Sequence, residues 1–235
     1  MIRVARRAWA TFTFSPMMTA YVDREVFFSR AIFLLSTNGI GGDYVEFGCH
    51  SGQTFAMAWS EIRRHRRASH LWAFDSFQGM PNKQCNADEH PEWIGGTMAT
   101  SLEQFRKICA RNRIPPNRYS AIKGFYCDTL SSISHSWPAP PTTIALAYVD
   151  CDMYSSTMDV LNFLEPRLRH GIILAFDDYF NCSATEQAGE QRAFAEFQQR
   201  TSQWDFMPYM NIGGIGMSFI VQKNLRSVKV MRAEM

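Results

Sequence analysis

The sequence predicts an α/β domain with a doubly wound, mostly parallel sheet. Short apolar runs alternate with longer helical patterns along the chain, as in successive strand-helix units. One run, Thr143–Asp150, is almost wholly apolar, which is typical of a strand buried on both faces of a parallel sheet. With 235 residues, of which 46% are hydrophobic, the chain can bury one large core, and we expect one domain over residues 1–235.

Five strands with connecting helices are predicted in chain order, and two further runs near the carboxyl terminus are predicted to pair antiparallel at the sheet edge. The predicted strands are Asp43–Phe47, His70–Asp75, Ser120–Gly124, Thr143–Asp150 and Gly171–Asp177, followed by runs around Asp205–Met207 and Gly216–Val221. The predicted helices are Asp23–Leu35, Phe55–Arg63, Leu102–Ala110, Ser155–Leu168 and Glu186–Arg200. Residues 41–222 therefore form the predicted core.

The first 40 residues are predicted to be a helical cover that packs on this core or on a neighbouring subunit. Arg3, Arg6 and Arg7 precede a mildly apolar stretch, but polar residues interrupt it and no cleavage pattern follows, so a signal peptide is not expected. No segment is long and apolar enough to span a bilayer, and stable membrane insertion is not expected either. Contact with a membrane surface and formation of a homo-oligomer both stay open.

The composition favours a small-molecule partner. The chain has 24 basic and 22 acidic residues, a balance that favours neither broad nucleic-acid binding nor an acidic partner. The basic run Arg63–Arg67 is interpreted as a solvated helix end. Six scattered cysteines show no zinc-site spacing and predict reduced thiols in a cytoplasmic protein.

One connection, from Ser76 to Thr100, is long and rich in proline, glycine and asparagine, and it is a candidate substrate lid or loop. Several aromatic residues fall near the predicted site loops, where they either stack on an acceptor molecule or serve packing. They are Trp93, Phe125, Tyr126, Tyr179 and Phe180.

A glycine-containing turn follows the first predicted strand. In open α/β sheets, ligands bind beyond the carboxyl ends of the strands, where glycines let the backbone approach them. Glu46, Gly48 and Gly52 lie in such a turn, and Asp75 ends the next strand, where its carboxylate can accept hydrogen bonds from ribose hydroxyls. Together they predict an adenosine-containing ligand; a tight turn without a ligand and an Asp75 that only caps a turn are the alternatives.

Acidic residues follow the fourth and fifth predicted strands. Asp150 and Asp152 end the fourth strand, and Asp177 and Asp178 end the fifth. Adjacent parallel strands run about 4.8 Å apart, so these carboxylates are expected to converge. A divalent cation relieves their repulsion, and hard oxygen ligands favour Mg²⁺ or Mn²⁺. Carboxylates that only cap loops are the alternative.

Four successive motifs resemble those of the macrocin O-methyltransferase family, between about Tyr44 and Tyr179. They are Phe74-Asp-Ser-Phe-Gln-Gly-Met-Pro81, Lys123-Gly-Phe-Tyr-Cys-Asp128-Thr-Leu, Val149-Asp-Cys-Asp-Met-Tyr-Ser-Ser-Thr157 and Asp177-Asp-Tyr179. The resemblance implies a Rossmann-like class I methyltransferase sheet. It also implies an enzyme that uses S-adenosylmethionine and Mg²⁺ to methylate a hydroxyl of a small molecule, a sugar of a natural product.

The same resemblance implies a role for each acidic or glycine-rich strand end. Metal ligation is implied for Asp150, Asp177 and Asp178, and the role of general base for Asp152. Cofactor contacts are implied for Glu46, Gly48, Gly52, Asp75 and Ser76.

Asp152 shares strand parity with Asp150, so both carboxylates face one cleft if the extended conformation persists. A helix N-cap is the alternative role for Asp152, and His50, His90 and His135 are competing bases. Two rival functions also stay open. Asp150-Cys-Asp152 matches the D-x-D pattern of metal-dependent glycosyltransferases, and a non-catalytic S-adenosylmethionine-binding protein would share the fold.

Overall fold

The computed structural model describes residues 16–130, 141–181 and 188–224. They contain a seven-stranded sheet whose strands are β1 (Asp43–Phe47), β2 (Leu71–Asp75), β3 (Tyr119–Lys123), β4 (Ile144–Val149), β5 (Ile173–Phe176), β6 (Trp204–Ile212) and β7 (Gly216–Lys223). The strand order is β3-β2-β1-β4-β5-β7-β6, and the first five strands of this order are parallel. β7 is antiparallel to both β5 and β6, which confirms the predicted antiparallel pair at the sheet edge.

Helices cover both faces of the sheet. They are α1 (Pro16–Thr37), α2 (Gln53–Arg64), α3 (Leu102–Arg111), the short α4 (Tyr126–Thr129), α5 (Tyr154–Leu164) and α6 (Gly189–Arg200). Helices α1, α2 and α3 pack with one face of the strands, and α5 and α6 pack with the other. Because alternate strand residues enter two separate cores, β4 is apolar throughout, and the predicted doubly wound α/β fold is confirmed.

Helix α1 covers the core of its own chain. Phe27, Phe28 and Leu35 are fully buried, and the Phe28 ring stacks on Tyr148 of β4 at 5.2 Å between ring centroids. The helix is longer than predicted and runs from Pro16 to Thr37; a proline is tolerated at its first position because an N–H there would have no helical partner. Residues 1–15 of the predicted cover lie outside the described residues.

Two predicted helix bounds need correction. The helix predicted to run from Ser155 to Leu168 ends as an α-helix at Leu164, because the proline of the 3-10 turn Glu165–Arg167 lacks an N–H and cannot continue the ladder. Helix α6 begins at Gly189, and Glu186, its predicted start, lies outside the described residues. In the described part of the chain, every helix is too short or too polar to cross a bilayer.

Candidate active site

The carboxyl ends of four neighbouring strands form one row. The strand-end residues pair in register across β2, β1, β4 and β5, through Phe74 with Phe47, Phe47 with Val149, and Val149 with Phe176. The residues that come next are Asp75, Gly48, Asp150 and Asp177, so these four lie side by side at the carboxyl ends of the parallel strands. The chain crosses over in opposite directions from β1 and β4, and a ligand cleft is expected at such a switch point.

Gly48 brings the two central strands of this row together. The Gly48 N–H donates to the Phe74 carbonyl at 2.9 Å, and the Asp150 N–H donates to the Phe47 carbonyl at 2.8 Å. Gly48 has a φ of +85°, and a Cβ atom there would lie 1.8 Å from the Asp150 carbonyl oxygen. Only glycine allows this approach, so Gly48 fixes the spacing between the β1 and β4 ends.

Asp75 anchors the turn that follows β1. Its Oδ2 accepts hydrogen bonds from the Cys49 N–H at 2.7 Å and the His50 N–H at 3.1 Å, and its Oδ1 accepts one from the Phe77 N–H at 2.6 Å. A carboxylate offers about four acceptor positions, so one remains on Oδ1. Asp75 therefore orders two loops and keeps capacity for one further donor in the cavity that it lines.

The other predicted cofactor residues divide into two groups. Gly48 and Ser76 line the cavity, and the Ser76 hydroxyl is held by the Gly79 carbonyl at 2.7 Å. Glu46 and Gly52 lie outside the lining. Gly52 has a φ of +66° and begins α2 against Phe105, so its cofactor contact, like that of Glu46, stays a prediction.

Glu46 is fully buried beneath the row of strand ends. The Thr54 hydroxyl donates to its Oε1 at 2.8 Å, and the Tyr44 hydroxyl donates to its Oε2. Burial raises the pKa of Glu46 to about 8, although both hydroxyl donors act in the opposite direction. Burial therefore favours the protonated form of this side chain, which links β1 to the start of α2 through its two hydroxyl partners.

Three carboxylates converge at the other end of the row. Ligand atoms of Asp150, Asp177 and Asp178 all lie within 4.8 Å of one another, as predicted from the strand spacing. Burial, followed by repulsion from Asp177, raises the pKa of Asp150 well above its ordinary value. Burial and repulsion from Asp152 do the same for Asp178. A divalent cation would reverse this cost, and an all-oxygen ligand set suits Mg²⁺ or Mn²⁺.

Arg24 of α1 neutralises one of the three carboxylates. Its Nε donates to Asp177 Oδ1 at 2.8 Å and its Nη2 to Asp177 Oδ2 at 2.5 Å, while the Tyr148 hydroxyl also donates to Oδ1. A Cβ atom on Gly213, in the turn between β6 and β7, would lie 2.8 Å from the Arg24 guanidinium carbon. The amino-terminal helix therefore contributes a fixed charge to the acidic cluster, in a geometry that leaves an acceptor position on Asp177 Oδ2.

Glu190, at the start of α6, ties the two acidic loops together. It is fully buried, and its Oε1 accepts from the Cys151 N–H at 3.1 Å while its Oε2 accepts from the Asp178 N–H at 3.0 Å. One carboxylate thus bridges the loop after β4 and the loop after β5. Sequence reasoning missed both Glu190 and Arg24. Arg24 left a signal, because it lies three and four residues before the buried Phe27 and Phe28 on the same helix face.

Asp152 lies beside the acidic cluster in a backbone conformation that the sequence did not predict. Its φ is +57°, so the extended conformation does not persist past β4. Burial raises the pKa of its carboxyl, and the neighbouring Asp178 acts in the opposite direction. The helix-cap alternative for Asp152 is wrong. Helix α5 has Met153 at its N-cap position without a side-chain cap bond, and the buried Asp88 accepts from the Ser155 N–H at 2.9 Å instead.

These groups enclose a cavity of about 510 Å³. The long loop after β2 lines the cavity with Ser76, Met80 and Met98, and the acidic cluster lines it as well. Of the aromatic candidates, Phe125 and Tyr126 line the cavity, while Tyr179 packs on Phe176, Phe194 and Phe219. Of the competing bases, His50 lines the cavity and contacts the Met98 carbonyl at 2.8 Å, and His135 lies outside the described residues.

The strand order, the antiparallel seventh strand and the cleft at the switch point between β1 and β4 are those of the class I methyltransferase fold. The sequence model of the macrocin O-methyltransferase (TylF) family matches residues 9–207, and the chain belongs to this family. The match extends beyond the motifs between Tyr44 and Tyr179 that carry the resemblance in the sequence.

Two curated relatives illustrate the similarity. An 8-demethyl-8-(2,3-dimethoxy-alpha-L-rhamnosyl)-tetracenomycin-C 4'-O-methyltransferase of Streptomyces olivaceus is 33% identical over 150 residues, which are 60% of this chain and 54% of that protein. A mycinamicin III 3''-O-methyltransferase of Micromonospora griseorubida is 27% identical over 165 residues, 66% of this chain and 62% of that protein. The matched region thus spans less than two thirds of the length of these relatives.

Solved structures show the same fold. The O-methyltransferase NovP superposes with a TM-score of 0.71 at 24% identity, over 86% of this chain and 81% of that chain. The calicheamicin methyltransferase CalS11 superposes with a TM-score of 0.64 at 17% identity, over 83% and 77% of the respective chains. At these identities the likeness establishes the architecture alone.

Proposed function

We propose that this protein is an S-adenosylmethionine-dependent, divalent-metal-assisted O-methyltransferase that acts on a hydroxyl of a small molecule, on a sugar of a glycosylated natural product or glycan. The observation that carries the proposal is the in-register row of strand ends, which puts Asp75 and the acidic cluster into one cavity. Family membership and relatives named as sugar O-methyltransferases support it.

The cofactor lies, in this proposal, at the Asp75 end of the cavity. Three backbone N–H groups already hold the Asp75 carboxylate, so its remaining Oδ1 acceptor position is oriented before a ribose hydroxyl arrives. Gly48 keeps side-chain atoms away from the ligand at this point. S-adenosylmethionine supplies a methyl group that is already activated by its sulfonium, so the protein must chiefly align that methyl with an oxygen nucleophile.

The residues at the acidic end fit a divalent cation. Asp150, Asp177 and Asp178 would hold it, because they bring three carboxylate oxygens together in a partly buried place, where Arg24 is paired with Asp177. When bound, such a cation orients substrate oxygens and lowers the pKa of a hydroxyl. Glu190 fixes the loops that carry Asp150 and Asp178, and Arg24 fixes Asp177.

Asp152 is proposed as the general base. The acceptor hydroxyl transfers its proton to the Asp152 carboxylate while its oxygen takes the methyl group, and S-adenosylhomocysteine leaves. Asp152 lines the cavity next to the three proposed ligands, and its buried position raises the pKa of its carboxyl. A base with a raised pKa accepts a proton more readily near neutral pH than an ordinary aspartate does.

Action on a small molecule rather than a nucleic acid, in the cytoplasm, belongs to the same proposal. Of the six cysteines, the five in the described part of the chain form no disulfide with one another, which agrees with a reducing compartment. Assembly into a homo-oligomer stays a prediction.

Ligand binding separates this proposal from its rivals. We expect S-adenosylmethionine and S-adenosylhomocysteine to raise the melting temperature and Mn²⁺ to bind, while UDP-glucose has no effect. Stabilisation by the nucleotide sugar alone would establish the glycosyltransferase alternative. If S-adenosylmethionine binds but a panel of deoxysugar glycosides yields no methylated product, the result supports the non-catalytic S-adenosylmethionine-binding protein and contradicts the proposed reaction.

A further inference from the structure

Trp93 brings an unused hydrogen-bond donor to the proposed base. The residue belongs to the long loop after β2 and is 2% exposed. Its Nε1 is buried and has no hydrogen-bond partner among the described residues. The indole lies beside the base, because it packs on Met153, the next residue after Asp152, and both Trp93 and the Asp152 backbone border Gly189. Burial raises the pKa of the Asp152 carboxyl, and Trp93 acts in the opposite direction. A buried N–H without a partner costs about 1–3 kcal/mol, so an unfilled donor at this place calls for a function.

The indole ring is held by contacts on several sides. The His90 ring lies 4.7 Å away between centroids, and Met153 and Ala188 pack with Trp93 in one small cluster. Gly189 completes the enclosure, because a Cβ atom there would lie 2.7 Å from the indole ring and 2.5 Å from the Asp152 carbonyl oxygen. The Trp93 ring therefore cannot rotate freely, and its N–H has a fixed direction.

Asp152 needs such support. It is a non-glycine residue with a φ of +57°, a conformation that costs about 1–2 kcal/mol and persists only where the surroundings impose it. The carboxyl group already meets Asp178 on one side. A donor on another side would prevent it from turning towards the proposed metal ligands and would leave one oxygen directed at the acceptor.

We propose that Trp93 is the positioning residue of the base: in the loaded enzyme its indole N–H donates a hydrogen bond to the Asp152 carboxylate and holds it in the orientation that accepts the proton of the acceptor hydroxyl. This inference rests on the proposed function. It gives the long loop a role beyond lining the cavity, because the same loop is tied to α5 by Asp88, which accepts from the Ser155 N–H and hydroxyl at 2.9 Å each. The position of the loop therefore depends on the start of α5, which follows directly after the base.

An isosteric replacement tests the donor without changing the packing. Incorporation of 3-benzothienylalanine at position 93 replaces the indole N–H by sulfur. We expect kcat to fall about 10- to 100-fold, the range for losing a hydrogen bond to a charged group, with the KM for S-adenosylmethionine unchanged. The matched control is the same replacement at Trp59, a 6% exposed residue whose Nε1 donates to the Arg113 carbonyl away from the cavity. Equal kcat values for the two replacements would overturn the inference.

A spectroscopic test needs no turnover and no known acceptor. In protein labelled with ¹⁵N-tryptophan, the chain gives six indole signals, and the one lost in Trp93→Phe is assigned to Trp93. We expect this indole proton to shift downfield and to become protected from exchange when S-adenosylhomocysteine and Mg²⁺ are added. Mg²⁺ is used here because paramagnetic Mn²⁺ would broaden the signal. Asp152→Ala should abolish the shift.

The two tests separate the failure of this inference from the failure of the proposed function. A downfield shift that persists in Asp152→Ala would mean that another group, such as the bound ligand, accepts the bond, and the inference would be wrong. If wild-type protein transfers no methyl group but the Asp152-dependent shift is present, the pair exists and the proposed reaction is what fails.

Discussion

The two ends of the cavity are stabilised by different interactions. At the cofactor end, a single carboxylate, Asp75, accepts three backbone N–H bonds and so orders the turn around it. At the acidic end, three aspartates converge with Asp152 beside them, and their support comes from side chains elsewhere in the chain, chiefly Arg24 and Glu190. The first end is stable as it stands, whereas the second carries a repulsion that a cation would relieve.

This difference teaches how one sheet edge can serve two ligands. The Asp75 carboxylate, held by backbone N–H groups, presents an oriented acceptor to a ribose before the ligand binds. The acidic cluster repels itself, so Arg24 and Glu190 must hold it in place until a cation binds. Substitutions at the cofactor end should therefore change one affinity, and substitutions at the acidic end should change metal binding, turnover and local order.

The largest effect is expected for Asp152→Asn, which removes the proposed base and keeps the shape of the side chain. We expect turnover to fall about 10³-fold, in the range for general acid-base catalysis, because the amide cannot take the proton. Affinities for S-adenosylhomocysteine and Mn²⁺, measured by calorimetry, should change little. His50→Gln is the control and should retain turnover; the opposite pattern would assign the base to His50.

The next effect tests the junction between the two ends. Gly48→Ala should lower the free energy of unfolding by about 3 kcal/mol or more, because its Cβ would collide with the Asp150 carbonyl. Gly39→Ala is a matched control with a φ of +65° and nothing within 4 Å of its Cβ, and it should cost about 1 kcal/mol. Urea denaturation measures both, and equal losses would show that the close approach at Gly48 is unimportant.

Glu190→Gln should loosen only the acidic end. One amide oxygen can replace one carboxylate oxygen, but the amide NH₂ would face a backbone N–H, so one of the two loops loses its acceptor. We expect Mn²⁺ affinity to fall about 10- to 100-fold, as for other groups that orient metal ligands, with S-adenosylhomocysteine affinity unchanged. Glu196→Gln on the same helix is the control, since Glu196 contacts Tyr154 and Arg192 instead.

The smallest effect concerns Glu46 beneath the cofactor end. Its pKa is raised from an ordinary 4.5 to about 8, so the folded protein keeps a proton that the unfolded chain has lost between these values. Stability should therefore fall as the pH rises from 5 to 8. Glu46→Gln cannot titrate at this position. Between pH 5 and pH 8, the wild-type protein should therefore lose at least about 1 kcal/mol more of its free energy of unfolding than the variant loses. Parallel curves for the two proteins would show that Glu46 ionises normally.

The fold was predictable because strands buried on both faces of a parallel sheet appear in the sequence as continuous apolar runs. The apolar run that became β4 and the acidic residue after it located both the strand and its end, and strand spacing alone predicted that Asp150 and Asp177 would meet. The predicted end of a helix was wrong where a single residue determines it, as at the proline in the 3-10 turn after Leu164.

The supporting residues were not predictable, because their partners are distant in the chain. Arg24 and Asp177 are separated by 153 positions, and Glu190 acts through backbone N–H groups that have no sequence signature. The left-handed backbone at Asp152 was likewise not predictable, because it lies where the chain packs closely against the distant Gly189.

The most direct test of two separable ligand sites in one cavity is a crossed binding measurement. Asp75→Ala and Asp178→Ala would each be titrated with S-adenosylhomocysteine by calorimetry and with Mn²⁺ by electron paramagnetic resonance. We expect Asp75→Ala to weaken S-adenosylhomocysteine binding at least about tenfold and to leave Mn²⁺ binding intact, and Asp178→Ala to do the reverse. Unchanged S-adenosylhomocysteine affinity in Asp75→Ala, or equal losses of both ligands in both variants, would contradict the account.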